Sequence, residues 1–179
     1  MRLFIALEPG AEFLESLMQS LLPLKEKYPY FRWVPRENLH ITLVFLGELD
    51  EGVLPQIKTA AEAASGCGEI AVTGGKLFTL PPRKDANVLA LGFEKGGEEI
   101  ASLAAGIKNS LRIHGITPGG TERGKFMSHI TVARKGREPV RLLNEDTHIQ
   151  VHGVFNAVKV YKSELLKTGA RYTVLAAYP

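Results

Sequence analysis

The sequence predicts an α+β protein assembled from two related halves. Strand-like and helix-like segments follow one another as β-α-β-α-β-β-α-β-β-β, an order in which helices pack on the outer faces of sheets. Most strand-like runs are rich in β-branched or aromatic residues and stop near Gly, Pro, Asn or Asp. One short pattern also occurs twice: Asn38-Leu39-His40-Ile41-Thr42-Leu43 is echoed by Met127-Ser128-His129-Ile130-Thr131-Val132. No fixed short period accompanies the echo, so it marks a duplicated half-domain and not a solenoid.

The elements follow in order. Residues 2–7 form a first strand, closed by Glu8, Pro9 and Gly10. Leu14, Leu17, Met18, Leu21 and Leu22 then recur at helical spacing, and Pro23 is expected to end or kink that helix. Residues 39–46 are the next strand. Leu54, Ile57, Ala61 and Ala64 share one face of a second helix, with Asp50 as its N-cap. Two strands follow at 69–80 and 87–93. Ile100, Leu103, Ile107 and Leu111 line a third helix, with Gly115 where a C-cap glycine belongs. Strands at 127–133, 148–161 and 171–177 complete the chain.

A chain of 179 residues has the length for one domain, spanning 1–179, of two intimately packed halves. At this size folding buries roughly 70% of the extended chain's surface, so no disulfide or metal staple is required. Hydrophobic residues make up 45% and charged residues 23%, which excludes the disordered and membrane classes. The lone cysteine, Cys67, lies in a Gly-flanked turn and cannot form an internal disulfide; it reads as structural filler. The opening apolar run is too short for a secretory signal or a membrane span, so a soluble cytoplasmic protein is expected. The net charge of +3 is compatible with a polyanionic partner. Local clustering says more: Arg123, Lys125, Arg134, Lys135, Arg137 and Arg141 surround one short apolar stretch, and Arg83-Lys84 follows a Pro-Pro turn.

Side chains alternate across a strand, so His40, Thr42 and Val44 share one face while Ile41, Leu43 and Phe45 share the other. The second face is wholly apolar and is expected to be the core side. His129 and Thr131 share a face in the same way, opposed by Ile130 and Val132. One such His-x-Thr tripeptide is commonplace. Two copies on apolar strands, one per half, can face a single cleft if the halves pair about a pseudo-two-fold axis. Imidazole, with an ordinary pKa of about 6.5, both takes and gives protons near neutrality. Opening a cyclic phosphodiester needs a base for water and an acid for the departing ribose oxygen, on opposite sides of phosphorus. Two histidines meet that need. Threonine hydroxyls can donate hydrogen bonds to the non-bridging phosphate oxygens.

Other chemistries find less support. His148 and His152 have ligand spacing only on a helix, and their segment alternates like a strand without a Cys or Glu cluster. They read as structural or surface residues, and no metal or cofactor is expected. His114 suits the negative pole of the third helix. No nucleophile elbow and no phosphate-binding glycine loop is present. The run Thr117-Pro118-Gly119-Gly120-Thr121 reads as a connecting turn.

These residues resemble the two-histidine phosphoesterase superfamily, and within it the RNA 2′,3′-cyclic phosphodiesterases, also called 2′-5′ RNA ligases. The resemblance covers nearly the whole chain, from the opening Met1-Arg2-Leu3-Phe4-Ile5-Ala6-Leu7 through Arg32-Trp33-Val34-Pro35, both His-x-Thr motifs and Val160-Tyr161-Lys162-Ser163 to Tyr172-Thr173-Val174-Leu175. It implies two pseudo-symmetric antiparallel-sheet lobes with outer helices, flanking a central cleft. It implies His40 as proton donor to the leaving oxygen and His129 as base for water, leaving a 2′-phosphate on RNA. No metal, no membrane and a monomer are expected. Thr42, Thr131 and Arg134 are the expected phosphate contacts, although strict alternation puts Arg134 opposite His129 unless a bulge redirects it. Many relatives have proline where this chain has Ser128, a change that alters the approach to the strand more than the chemistry. Trp33, Phe45 and Tyr161 are candidates for stacking a base, with core packing the stronger reading for Phe45. RNA joining, hydrolysis of a small cyclic nucleotide and RNA binding without turnover stay open as alternatives.

Overall fold

The computed structural model describes residues 1–66, 68–82, 86–119, 126–136, 147–166 and 169–179. Cys67, Arg83, Lys84, Arg123, Lys125, Arg137 and Arg141 lie outside them, as does the end of the turn at 117–121. The strands are β1 (Arg2–Pro9), β2 (Arg32–Trp33), β3 (Ile41–Glu48), β4 (Ile70–Leu80), β5 (Val88–Lys95), β6 (His129–Arg134), β7 (His152–Leu166) and β8 (Gly169–Tyr178). The helices are α1 (Ala11–Lys27), α2 (Leu54–Ser65) and α3 (Gly97–Ile113). The expected order holds with one addition, β2, whose two residues are too short to carry a period.

Two local expectations change. Pro23 does not end α1, which runs on to Lys27. Phe13, Leu17, Leu21 and the following Tyr28 continue one buried stripe past the proline, while Pro23 and Gln19 lie on the exposed side. The hydrogen bond that proline removes is therefore lost where solvent replaces it. Asp50 caps the 3₁₀ turn Glu51–Val53 and not α2 itself, its side chain accepting from Gly52 N–H at 2.8 Å.

Every strand pairing is antiparallel, in the order β2-β6-β5-β4-β7-β1-β3, with β8 against the far part of β7. That order is a palindrome of roles. In one half β1-α1-β3 carries the first motif; in the other β5-α3-β6 carries the second. The next strand in sequence then crosses over. β4 follows β3 but pairs with β5, and β7 follows β6 but pairs with β1. Pairing of Ile70–Thr73 with His152–Phe155 joins the halves into one sheet.

All three helices cover one face. Leu3, Ile5 and Leu7 of β1, with Leu89 and Leu91 of β5, join Phe13 and Leu17 of α1, Ile57 of α2 and Ile107 and Leu111 of α3 in one core. Each such side chain contributes about 1.5–3 kcal/mol when fully buried. Contact is tight: a Cβ on Gly153 of β7 would lie 2.6 Å from the Phe13 Cβ, so glycine lets α1 lie directly on the strand. The opposite face of β1 presents Phe4 and Ala6 to a smaller cluster with Tyr161, Phe45 and Tyr172. That second face carries the candidate site. Among the described residues no helix is long and apolar enough to cross a membrane.

Candidate active site

Both motif strands are bulged, and the bulges decide what faces the cleft. On β3, Ile5 pairs with Val44 but Ala6 pairs with Thr42, so Leu43 has no partner. Leu43 and Val44 are both fully buried in the main core. A bulge reverses the alternation beyond it, so Phe45 turns onto the face of His40 and Thr42. This corrects two expectations: Val44 belongs to the core, and Phe45 to the smaller cluster beside the site. On β6, Leu89 pairs with Ala133 but Ala90 pairs with Thr131, leaving Val132 over. Val132 and Ala133 are both buried, and Arg134 turns onto the face of His129 and Thr131.

His40, Thr42, His129, Thr131 and Arg134 accordingly line one cleft of about 220 Å³, together with Trp33, Asn38 and Tyr172. His40 sits just before β3 and His129 opens β6, and the two are held alike. Nδ1 of His40 bonds the Asn38 carbonyl at 2.8 Å, and Nδ1 of His129 bonds the Met127 carbonyl at 2.8 Å. A carbonyl only accepts, so Nδ1 carries the hydrogen in each ring and Nε2 is free to exchange a proton. The Ser128 hydroxyl donates to the Gly97 carbonyl at 3.2 Å, tying the approach to β6 onto the start of α3.

The two imidazoles differ in surroundings. His40 stacks on Phe4 with centroids 5.0 Å apart and meets the edge of Tyr172 at 5.4 Å. Burial holds its pKa down at about 4; the positive charges of Arg134 and His129 push the same way, while the Asn38 carbonyl and Glu8 oppose them. His129 is more open and has the edge of Phe78 at 6.1 Å. Arg32 joins the cleft from β2, its Nε donating to the Lys135 carbonyl at 2.9 Å.

Trp33 lines the cleft with its indole N–H donating to the Tyr28 carbonyl at 3.2 Å. Tyr161 does not face it. The ring is 8% exposed and stacked on Phe4, so it has no free face for a base. Tyr172, which sequence reasoning did not single out as a site residue, faces the cleft instead. Its position depends on β8 lying on β7 and β7 on β1, which no local pattern announces. His148 pairs with Glu94 at 3.4 Å and His152 lies near Thr73 at 3.3 Å, both at the surface.

Two β-α-β units each turn a His-x-Thr strand onto one arginine-bearing cleft, an arrangement suited to acid–base chemistry on a phosphate ester. The family described as LigT like Phosphoesterase matches residues 12–86. The RNA 2′,3′-cyclic phosphodiesterase of Thermotoga maritima is 27% identical, over 98% of this chain and 93% of its own. A solved structure from Thermus thermophilus superposes with a TM-score of 0.85 at 23% identity, covering 99% of this chain and 97% of that one. E. coli LigT complexed with 3′-AMP superposes at 0.73 with 22% identity, covering 99% and 96%. The chain is thus similar to the LigT-like phosphoesterases in sequence and in fold along nearly its whole length.

Proposed function

We propose that this phosphoesterase hydrolyses the 2′,3′-cyclic phosphate ends of RNA to 2′-phosphomonoesters, using His40 and His129 as an acid–base pair without a metal ion. The observation that carries the reading is the matched presentation of two Nε2 atoms, each with a threonine on the same strand face, on one cleft. In the reaction one imidazole takes a proton from water, whose oxygen bonds to phosphorus. The other gives a proton to the ribose 3′ oxygen as its bond to phosphorus breaks. Each transfer typically contributes ~10²–10⁴-fold. Thr42, Thr131 and Arg134 meet the charge that builds on the non-bridging oxygens. No carboxylate or thiol lines the cleft among the described residues, and guanidinium groups disfavour a divalent cation there, which supports metal-free chemistry. The name of the Thermotoga relative and the 3′-AMP of the E. coli structure support an RNA end as substrate. The reading takes the protein as a cytoplasmic monomer.

The resemblance gives the donor role to His40 and the base role to His129. The surroundings of His40 favour the reverse as a second reading: a half-buried imidazole beside Arg134, its pKa held down at about 4, is neutral at pH 7 and ready to accept. In the first reading His40 must take up a proton as the phosphate anion enters. The deciding test has two parts. A defined RNA with a cyclic end is treated with the protein and the product read by ³¹P NMR; a 2′-phosphate is expected, and a 3′-phosphate or unchanged substrate refutes the proposal. Titrating His40 by NMR with and without inorganic phosphate then separates the roles. A rise above pH 7 on binding supports the donor, and a value that stays low supports the base.

A further inference from the structure

The cleft does not end at the histidine pair. A second cavity of about 420 Å³ opens from it, sharing Arg32, His40, Thr42, Arg134 and Tyr172 and continuing to Arg2, Phe45 and Ser163. Its volume alone lies in the usual range for a ligand pocket, roughly 300–1,000 Å³. Three guanidinium groups line it, and among the described residues no carboxylate does. A single phosphodiester carries one negative charge, which Arg134 and a protonated histidine already meet. Arg2 and Arg32 are in excess of that need.

Arg2 is also held ready. Its guanidinium carbon lies 5.1 Å from the centroid of Phe45, the ring that the β3 bulge turns to this face. A cation resting on an aromatic face is oriented before any ligand arrives. Beyond it the cavity is walled by Leu165 and Leu166, which are 74% and 45% exposed at the end of β7. An apolar rim next to a fixed cation and a hydroxyl, Ser163, matches a nucleotide: phosphate at the arginine, base against the leucines.

Resting on the phosphodiesterase reading above, we infer that this cavity is a second nucleotide subsite, in which Arg2 binds the phosphate linking the cyclic-ended nucleotide to its neighbour. The substrate is then an oligonucleotide end and not a free cyclic mononucleotide. Trp33 and Asn38 lie on the first cavity alone, where the terminal nucleoside goes; Arg2 and the leucines lie on the second alone.

The test compares kcat/KM for adenosine 2′,3′-cyclic phosphate, for the dinucleotide ApA with a 2′,3′-cyclic end, and for that dinucleotide with an uncharged methylphosphonate link. The natural dinucleotide is expected to exceed the mononucleotide by about tenfold or more, and the methylphosphonate to lose most of that gain. Arg2→Gln is expected to bring the ratio of dinucleotide to mononucleotide toward one. It should also reduce the salt dependence for the dinucleotide by ~0.7 in log–log slope, the share of one contact to a single strand. The substrate series needs no mutant, so a misfolded variant does not blunt it. Equal kcat/KM for all three substrates overturns the subsite and leaves the phosphodiesterase reading standing. No turnover of any of them refutes both.

Discussion

Phe45 and Arg134 hold the same place in the two halves, each five residues after its histidine and each turned toward the cleft by a bulge just before it. The likeness of the two halves therefore extends beyond the His-x-Thr triplet. It includes the irregularity that brings a further side chain onto the same surface, and the two halves fill that place differently. One supplies a cation beside the histidines; the other supplies a ring under Arg2.

Arg134 is expected to act on the proposed chemistry and on His40 together. Arg134→Gln removes a charge that stabilises the transition state, and the loss in kcat should be about 10²-fold. It also removes a positive neighbour of His40, so the His40 pKa should rise. NMR titration of the variant checks the second effect independently of turnover. A downward shift or none refutes the electrostatic account.

Replacing either histidine is the plainest test of the pair. His40→Ala and His129→Ala should each lower kcat by at least ~10²-fold with circular dichroism unchanged. Activity within a few-fold of the parent in either variant means that the residue is not part of the acid–base machinery.

Stability should depend on pH through His40. Its folded pKa is near 4 against an ordinary 6.5, so between those values the unfolded chain binds more protons. The stabilisation is therefore complete above pH 6.5 and is lost as pH falls toward 4, on the order of 3 kcal/mol over the whole window. Urea unfolding at pH 7 and pH 4.5 should show a steeper acid loss for the parent than for His40→Asn. Parallel losses would remove the basis for the pKa argument.

Turnover should survive saturating EDTA. Loss of activity in chelator, restored by a divalent ion, contradicts metal-free chemistry whatever the fate of the histidine variants.

Ser128→Ala removes the bond to the Gly97 carbonyl and should cost about 1 kcal/mol in denaturant unfolding. Because the bond anchors the residue before His129, kcat should fall while KM changes little. A change in KM alone argues that Ser128 contacts substrate instead.

The sequence made the α+β class, the element order and both motifs legible because each depends on local period and composition. It misplaced Phe45 and Val44 because the rule of two assumes unbroken pairing, and the surplus Leu43 shows itself only against β1. Arg134 followed the same logic with Val132 and β5. Tyr161 read as a candidate for stacking a base although Phe4 covers it, and Tyr172 went unseen because its neighbours come from strands far away in the chain. β2, at two residues, offers no pattern at all.

The crossing of β4 and β7 between the halves has a mechanical result. Spreading the halves like a hinge would tear backbone hydrogen bonds between Ile70–Thr73 and His152–Phe155. The gap between the imidazoles is thus a dimension of the sheet, fixed at folding as the bore of a pipe is fixed when it is cast.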